Sequence, residues 1–159
     1  NVNMEIKNMK FVSQKGFRYH FSPVYNIKEQ SFFSNPEAPS DFSIMIKGGY
    51  TSLDVSLISS TLYGISGYNP QKTWKKAKLI YPVVKQGSVK VIFDFHVEKG
   101  MGIDYGIDWK TFFDKNTGVI CICNSKIPYN TENIEFSNNI VASIHNGNLV
   151  AVWIKPFFK

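Results

Sequence analysis

Arginine occurs only once, at Arg18, in a chain of 159 residues whose other 17 basic residues are all lysine. The forked guanidinium that reads guanine or clamps phosphate is therefore almost missing, and the net charge of +6 is carried by hydrated point charges. A lysine and asparagine excess of this kind (14 Asn) equally fits an AT-rich genome. Leucine and alanine are also scarce, nine residues together against 30 isoleucine and valine, which excludes an all-helical bundle. No run approaches the roughly 18 to 20 uncharged apolar residues of a membrane span, and residues 1–10 have no apolar core of signal-peptide type. Only two cysteines are present, so neither a disulfide framework nor a four-thiolate zinc site can be built. With no asparagine in a glycosylation context, the expected compartment is a reducing cytoplasm.

What is abundant points to strands. Branched residues and 24 aromatics (Phe 13, Tyr 8, Trp 3) pack well on a pleated surface, and 43% hydrophobic with 19% charged residues is a globular balance. Residues 4–12 and 17–21 read as a hairpin around Lys15-Gly16, and residues 26–41, with Pro36 and Pro39, as the longest loop. Residues 42–47 form a strand that Gly48-Gly49 breaks. Leu53, Val55 and Leu57 alternate with Ser52, Asp54 and Ser56, turn at Ser59-Ser60, and return through 61–66 as a second hairpin. Pro82 confines residues 79–84 to an edge strand or bulge. Residues 88–97 alternate most clearly, Asp108 caps one or two helical turns through Phe113, and residues 119–124 form an apolar strand. His145-Asn146-Gly147-Asn148 gives a type I′ turn in a third hairpin. About nine strands follow, hence a mainly β to α+β fold: one domain over residues 1–159, an antiparallel sheet of successive hairpins with one or two short helices.

The search for chemistry is mostly negative. Gly64-Ile65-Ser66-Gly67 lacks the glycine spacing of a nucleophile elbow, and Lys47-Gly48-Gly49-Tyr50-Thr51 that of a phosphate loop. Cys121 and Cys123 share one strand face about 6.6 Å apart, strained for a disulfide and too close in sequence for zinc, and read as core thiols. Arg18 with His20 could serve a ribonuclease, and Asp94, His96 and Glu98 a proton-transfer cluster, but alternation alone puts polar residues there. No catalytic residue, cofactor or metal is expected.

Charge segregation says more. Residues 72–90 hold six lysines and no acid, and with Tyr68 and Trp74 beside Lys72, Lys75, Lys76 and Lys78 they resemble a platform for single-stranded nucleic acid. Residues 94–108 hold four acids and one lysine. Asp94, Glu98, Asp104 and Asp108, with Tyr105 and Trp109, suit docking to a basic protein.

Three features occur in order: a serine-rich hairpin running into Gly67-Tyr68-Asn69-Pro70 and Trp74; Asp108-Trp109-Lys110-Thr111-Phe112-Phe113-Asp114 leading through Thr117-Gly118 to Ile120-Cys121-Ile122; and Ile134-Glu135-Phe136, Gly147-Asn148-Leu149, Val152-Trp153-Ile154 and Pro156. This order resembles small β-rich bacterial immunity proteins of polymorphic and contact-dependent growth inhibition systems, over the C-terminal two-thirds. The resemblance implies a non-catalytic inhibitor that binds its cognate toxin domain and blocks it. Many such proteins are acidic, whereas this chain is basic overall, so the acidic stretch is the expected docking surface. The alternative is a small β-rich nucleic-acid-binding protein using the lysine and aromatic patch.

Overall fold

Strand after strand sets an isoleucine, valine or aromatic at every second position, so each sheet turns an apolar face inward, and two such sheets close on each other. The computed structural model describes residues 8–38, 41–47, 50–106, 108–124 and 126–159, with Lys47 described by its backbone only. Residues 4–7 of the first expected strand, Pro39 of the expected loop and the Gly48-Gly49 break lie outside the described residues.

The chain forms sixteen strands among the described residues. They are β1 (Met9–Gln14), β2 (Ser22–Asn26), β3 (Ser31–Asn35), β4 (Phe42–Lys47), β5 (Thr51–Val55), β6 (Leu62–Tyr68), β7 (Lys75–Lys76) and β8 (Lys85–Gln86). The rest are β9 (Ser88–Phe93), β10 (Gly102–Asp104), β11 (Lys110–Asp114), β12 (Val119–Cys123), β13 (Glu132–Ser137), β14 (Ile140–His145), β15 (Asn148–Ile154) and β16 (Phe157–Phe158). A front sheet runs β10-β4-β5-β6-β3-β2-β16 and a back sheet β7-β11-β12-β15-β14-β13-β8. A ribbon of β1 and β9 bridges them: Phe11 N–H donates to Gly147 at the β14–β15 turn, and Thr61 pairs with Lys90. One core lies between, with Tyr25, Phe32, Ile44, Leu53 and Ile65 from the front sheet meeting Ile120, Ile122, Phe136, Ile140 and Val152 from the back. The four terminal strands β7, β8, β10 and β16 pair parallel to their neighbours and have only two or three residues each, which leaves little edge for another chain to extend.

Two of the three expected hairpins are present: β5–β6, and β14–β15, where Asn146 and Gly147 at φ 51° and 76° make the type I′ turn. Other expectations are corrected. β1 pairs with β9 and not with residues 17–21, which form no strand; Tyr19 and Phe21 instead join the start of the sandwich through Phe136 and Ser137. The expected long loop contains β3, paired with β2 across the turn at 27–30. The helix expected after Asp108 is β11, because Thr111, Phe112 and Phe113 find a ladder with β12 that outweighs a local cap. The only helical turn described is the 3₁₀ turn Gln71–Thr73.

The largest departure concerns residues 77–84. They leave β7 at one edge of the back sheet and enter β8 at the other, so they cross its whole outer face. The nine Cα–Cα steps from Lys76 to Lys85 reach about 30 Å when extended, and six interstrand spacings amount to about 29 Å, so this strap has almost no slack. Leu79, Tyr81 and Val84 pack down on Val119, Cys121, Val141 and Trp153, while Ile80 and Val83 point away and are 84% and 96% exposed. Asp114 holds the strap's start by accepting the Leu79 N–H at 3.0 Å, and the Lys155 ammonium sits 4.5 Å from the Tyr81 ring centre.

Candidate binding site

The outer face of the front sheet is built from small polar residues. In β4, β5 and β6 the core-facing positions are Ile44, Leu53 and Ile65, so their neighbours in register, Ser43, Asp54, Gly64, Ser52 and Ser66, face outward. Aspartate is poorly suited to mid-strand positions, and here it is also 8% exposed. Among the described residues the Asp54 carboxylate accepts one hydrogen bond, from the Ser66 hydroxyl to Oδ1 at 2.9 Å. Burial pushes its carboxyl up to about 6, with the Ser66 bond opposing.

Asp54 lies in a concavity of about 540 Å³ between β2–β3 and β5–β6. Phe33 and Tyr63 line it, Ser34 and Ser66 add hydroxyls, and Glu29 and Glu37 add carboxylates; no lysine, arginine or histidine does so among the described residues. Burial first, and then the Asp54 charge, push the Tyr63 hydroxyl up to about 12. Ser34 Oγ is buried without a hydrogen-bond partner. Gly64 makes the floor: a Cβ there would stand 2.6 Å from Ser34 Oγ and 3.2 Å from Asp54 Oδ2. The result is a negative, aromatic-walled recess whose acceptors exceed the donors the chain supplies.

The acids expected to dock a partner lie along the neighbouring edge. β10 pairs with β4, and Asp104 falls opposite Met45 on the same outer face as Asp54, two strands or about 10 Å across. Asp94, Glu98, Asp104 and Asp108 are all exposed, and Glu98 meets His96 at 3.2 Å. The two aromatics named with them are placed differently. Trp109 is 4% exposed within the core, and Tyr105 packs edge-on to Phe11 and accepts the Leu149 N–H, so both hold the edge in place rather than face outward.

The lysine patch divides. Lys72, Lys75, Lys76 and Lys78 are exposed at the β7 edge, whereas Lys85 belongs to the opposite edge, across the strap. Trp74 packs on Tyr25 and Phe113 and donates from Nε1 to Asn69 at 2.9 Å, so it anchors this edge to the core. Tyr68, by contrast, is 45% exposed with its ring against Tyr50. Arg18 is committed to an ion pair with Glu135 and a 2.8 Å bond to Asn138, with His20 3.4 Å away.

A second concavity, about 460 Å³, opens beside the strap, lined by Leu79, Phe112 and Trp153 with Cys121, Cys123 and Lys110. The neighbouring Cys123 thiol, more than burial, pushes Cys121 up, and the same neighbour together with the Lys110 charge holds Cys123 below the usual thiol range. Among the described residues no three metal-ligating side chains converge, and no helix is long and apolar enough to cross a membrane.

Alternation alone marked Ser52, Asp54 and Ser56 as a polar face, and Ser66 only as the end of the returning strand. The one available signal that Asp54 is more than that was an aspartate between leucine and valine in mid-strand; Glu29, Phe33, Ser34 and Glu37 sit in what read as a loop, so nothing placed them beside it. Comparison with protein-family models and with curated proteins finds no match to this sequence.

Proposed function

We propose that this chain is a non-catalytic, protein-binding inhibitor of the immunity type, which occludes a basic bacterial toxin domain with the outer face and β10 edge of its front sheet. The observation that carries the reading is the acid-lined recess over Asp54, which no basic side chain lines among the described residues and which shares its sheet face with Asp104, while Asp94, Glu98 and Asp108 are exposed elsewhere on the surface. A rigid sheet with satisfied strands costs little to order on binding, and carboxylates around a recess speed encounter with a positive surface. The motif order in the C-terminal two-thirds supports the same class, and the net positive charge is no obstacle, because Lys75, Lys76, Lys78, Lys85, Lys110 and Lys155 lie in the other sheet, its strap and the segment leaving it.

The test is co-purification with the product of the neighbouring upstream gene, and survival of cells that express that product. A stoichiometric complex and rescue are expected. No complex and no rescue would remove the reading. A second reading, single-stranded nucleic-acid binding, draws on exposed Tyr68 and Tyr50 near Lys72; it requires oligonucleotide affinity that falls steeply between low and moderate salt, and fails if none is seen at low salt.

A further inference from the structure

We infer that the recess over Asp54 is a receptor for one arginine side chain, whose guanidinium enters between Phe33 and Tyr63 to reach the Asp54 carboxylate. This deepens the proposed function by naming what the partner inserts, and rests on it for the source of the arginine. Four observations on three neighbouring strands and their connections converge. Asp54 Oδ2, on β5, has no hydrogen bond within the described residues, although the group is 8% exposed. Ser34 Oγ, on β3, is buried without a partner. Gly64, on β6, withholds the one atom that would crowd both. Phe33 and Tyr63 supply aromatic walls, and Glu29 and Glu37 add negative charge without a basic residue to neutralise it.

A buried carboxylate with a single neutral donor is destabilising for the chain that holds it, and a ligand carrying positive charge and several N–H donors removes that cost. Guanidinium fits better than ammonium because it is planar, stacks on aromatic faces and presents a fork of donors. The site also carries a pH signature. Burial raises Asp54 to about 6, so roughly nine-tenths of it is protonated one unit lower, and affinity for a cation falls about tenfold between pH 8 and pH 5. Glu29 and Glu37 face the same recess from the β2–β3 turn and the segment after β3, and Tyr63 faces it from β6 with its hydroxyl neutral throughout that range.

The experiment titrates the full chain, labelled with nitrogen-15, with N-acetylarginine amide and with its uncharged isostere N-acetylcitrulline amide. Binding in the millimolar range is expected, with amide shifts centred on Ser34, Asp54, Gly64 and Ser66, at least about tenfold weaker for the citrulline probe and for Asp54→Asn. Gly64→Ala, whose methyl needs the Ser34 hydroxyl to turn aside and the Asp54 carboxylate to give by a few tenths of an ångström, should fold and lose affinity similarly; Glu132→Gln, on the back sheet, should not. Equal binding of both probes, equal binding of N-acetyllysine amide, an unchanged Asp54→Asn variant, shifts centred elsewhere, or no shift at tens of millimolar would each overturn the assignment. If the probe fails while the complex with the neighbouring gene's product forms, the arginine receptor is wrong and the inhibitor reading stands. If the probe binds and no complex forms, the receptor stands and the inhibitor reading falls.

Discussion

Asp54 shows how a single residue can be unfavourable for the fold it belongs to. Its carboxyl is raised from 3.8 to about 6 by burial, so the folded chain prefers it protonated and the unfolded chain ionises it first. The stability it contributes is present at low pH and is lost as pH rises between those two values; above about 6 the group opposes folding by up to ~3 kcal/mol. Asp54→Asn keeps the shape and removes the charge. It should raise the denaturant midpoint at pH 8 by an amount that disappears at pH 4, and a variant no more stable than the parent at pH 8 would refute the account. The thiols give a second prediction at this scale. Cys123 is half-buried, lines the concavity beside the strap and is held below the usual thiol range by Cys121 and Lys110, whereas Cys121 is buried and raised. Alkylation near neutral pH should mark Cys123 well before Cys121, and Lys110→Gln should slow it; mass mapping that finds Cys121 modified first would contradict this.

Elements were legible where they were local and opaque where they depended on distant partners. The β14–β15 hairpin was readable because Asn146-Gly147 supplies two positive φ values between alternating strands. Residues 108–114 and 77–84 were misread for one reason: β11 is a strand only because β12 offers it a ladder, and the strap is neither strand nor bulge but a crossing whose length the back sheet dictates. Pro82 marked it correctly as unable to sit inside a sheet. Tyr81 tests the strap. Its ring packs edge-on at 6.3 Å from Trp153 under the Lys155 charge, but its hydroxyl is buried without a partner. Tyr81→Phe should therefore be neutral or stabilising by ~1 kcal/mol, whereas Tyr81→Ala should cost ~3 kcal/mol and speed amide exchange across residues 77–84. A destabilised phenylalanine variant would mean that the hydroxyl has a role. Gly67 is a stricter constraint: at φ 102°, a Cβ would fall 1.9 Å from the Tyr50 carbonyl. Gly67→Ala should cost at least ~2 kcal/mol and disturb the β5–β6 register, measured as a shifted thermal midpoint.

At the scale of the molecule the two sheets carry different groupings of charge. Lys75, Lys76, Lys78, Lys110, Lys126 and Lys155 belong to the back sheet, its strap and the adjoining loop, while Asp54, Asp104, Glu29 and Glu37 belong to the front sheet and its recess. The sequence displayed this grouping as two charge blocks but not its place in the fold, since Asp54 and Glu37 lie outside the acidic block and reach the recess only through the register of β5 and the segment after β3. A dipolar molecule of net positive charge can still bind a basic partner if the partner meets the negative face first, because exposed charges interact over roughly a Debye length of 8 to 10 Å, less than the separation of the two outer surfaces. Neutralising Asp94, Glu98 and Asp104 together by Asn and Gln should therefore slow association with the basic partner about tenfold at low salt and leave dissociation nearly unchanged, since rim charges act on encounter. Neutralising Lys75, Lys76 and Lys78 should leave the association rate within about twofold, or raise it slightly by removing long-range repulsion. Stopped-flow association at two ionic strengths separates the faces. A rate that collapses with the lysine variant and ignores the acidic one would place the interface on the back sheet, and with it the wrong face would have been assigned to the partner.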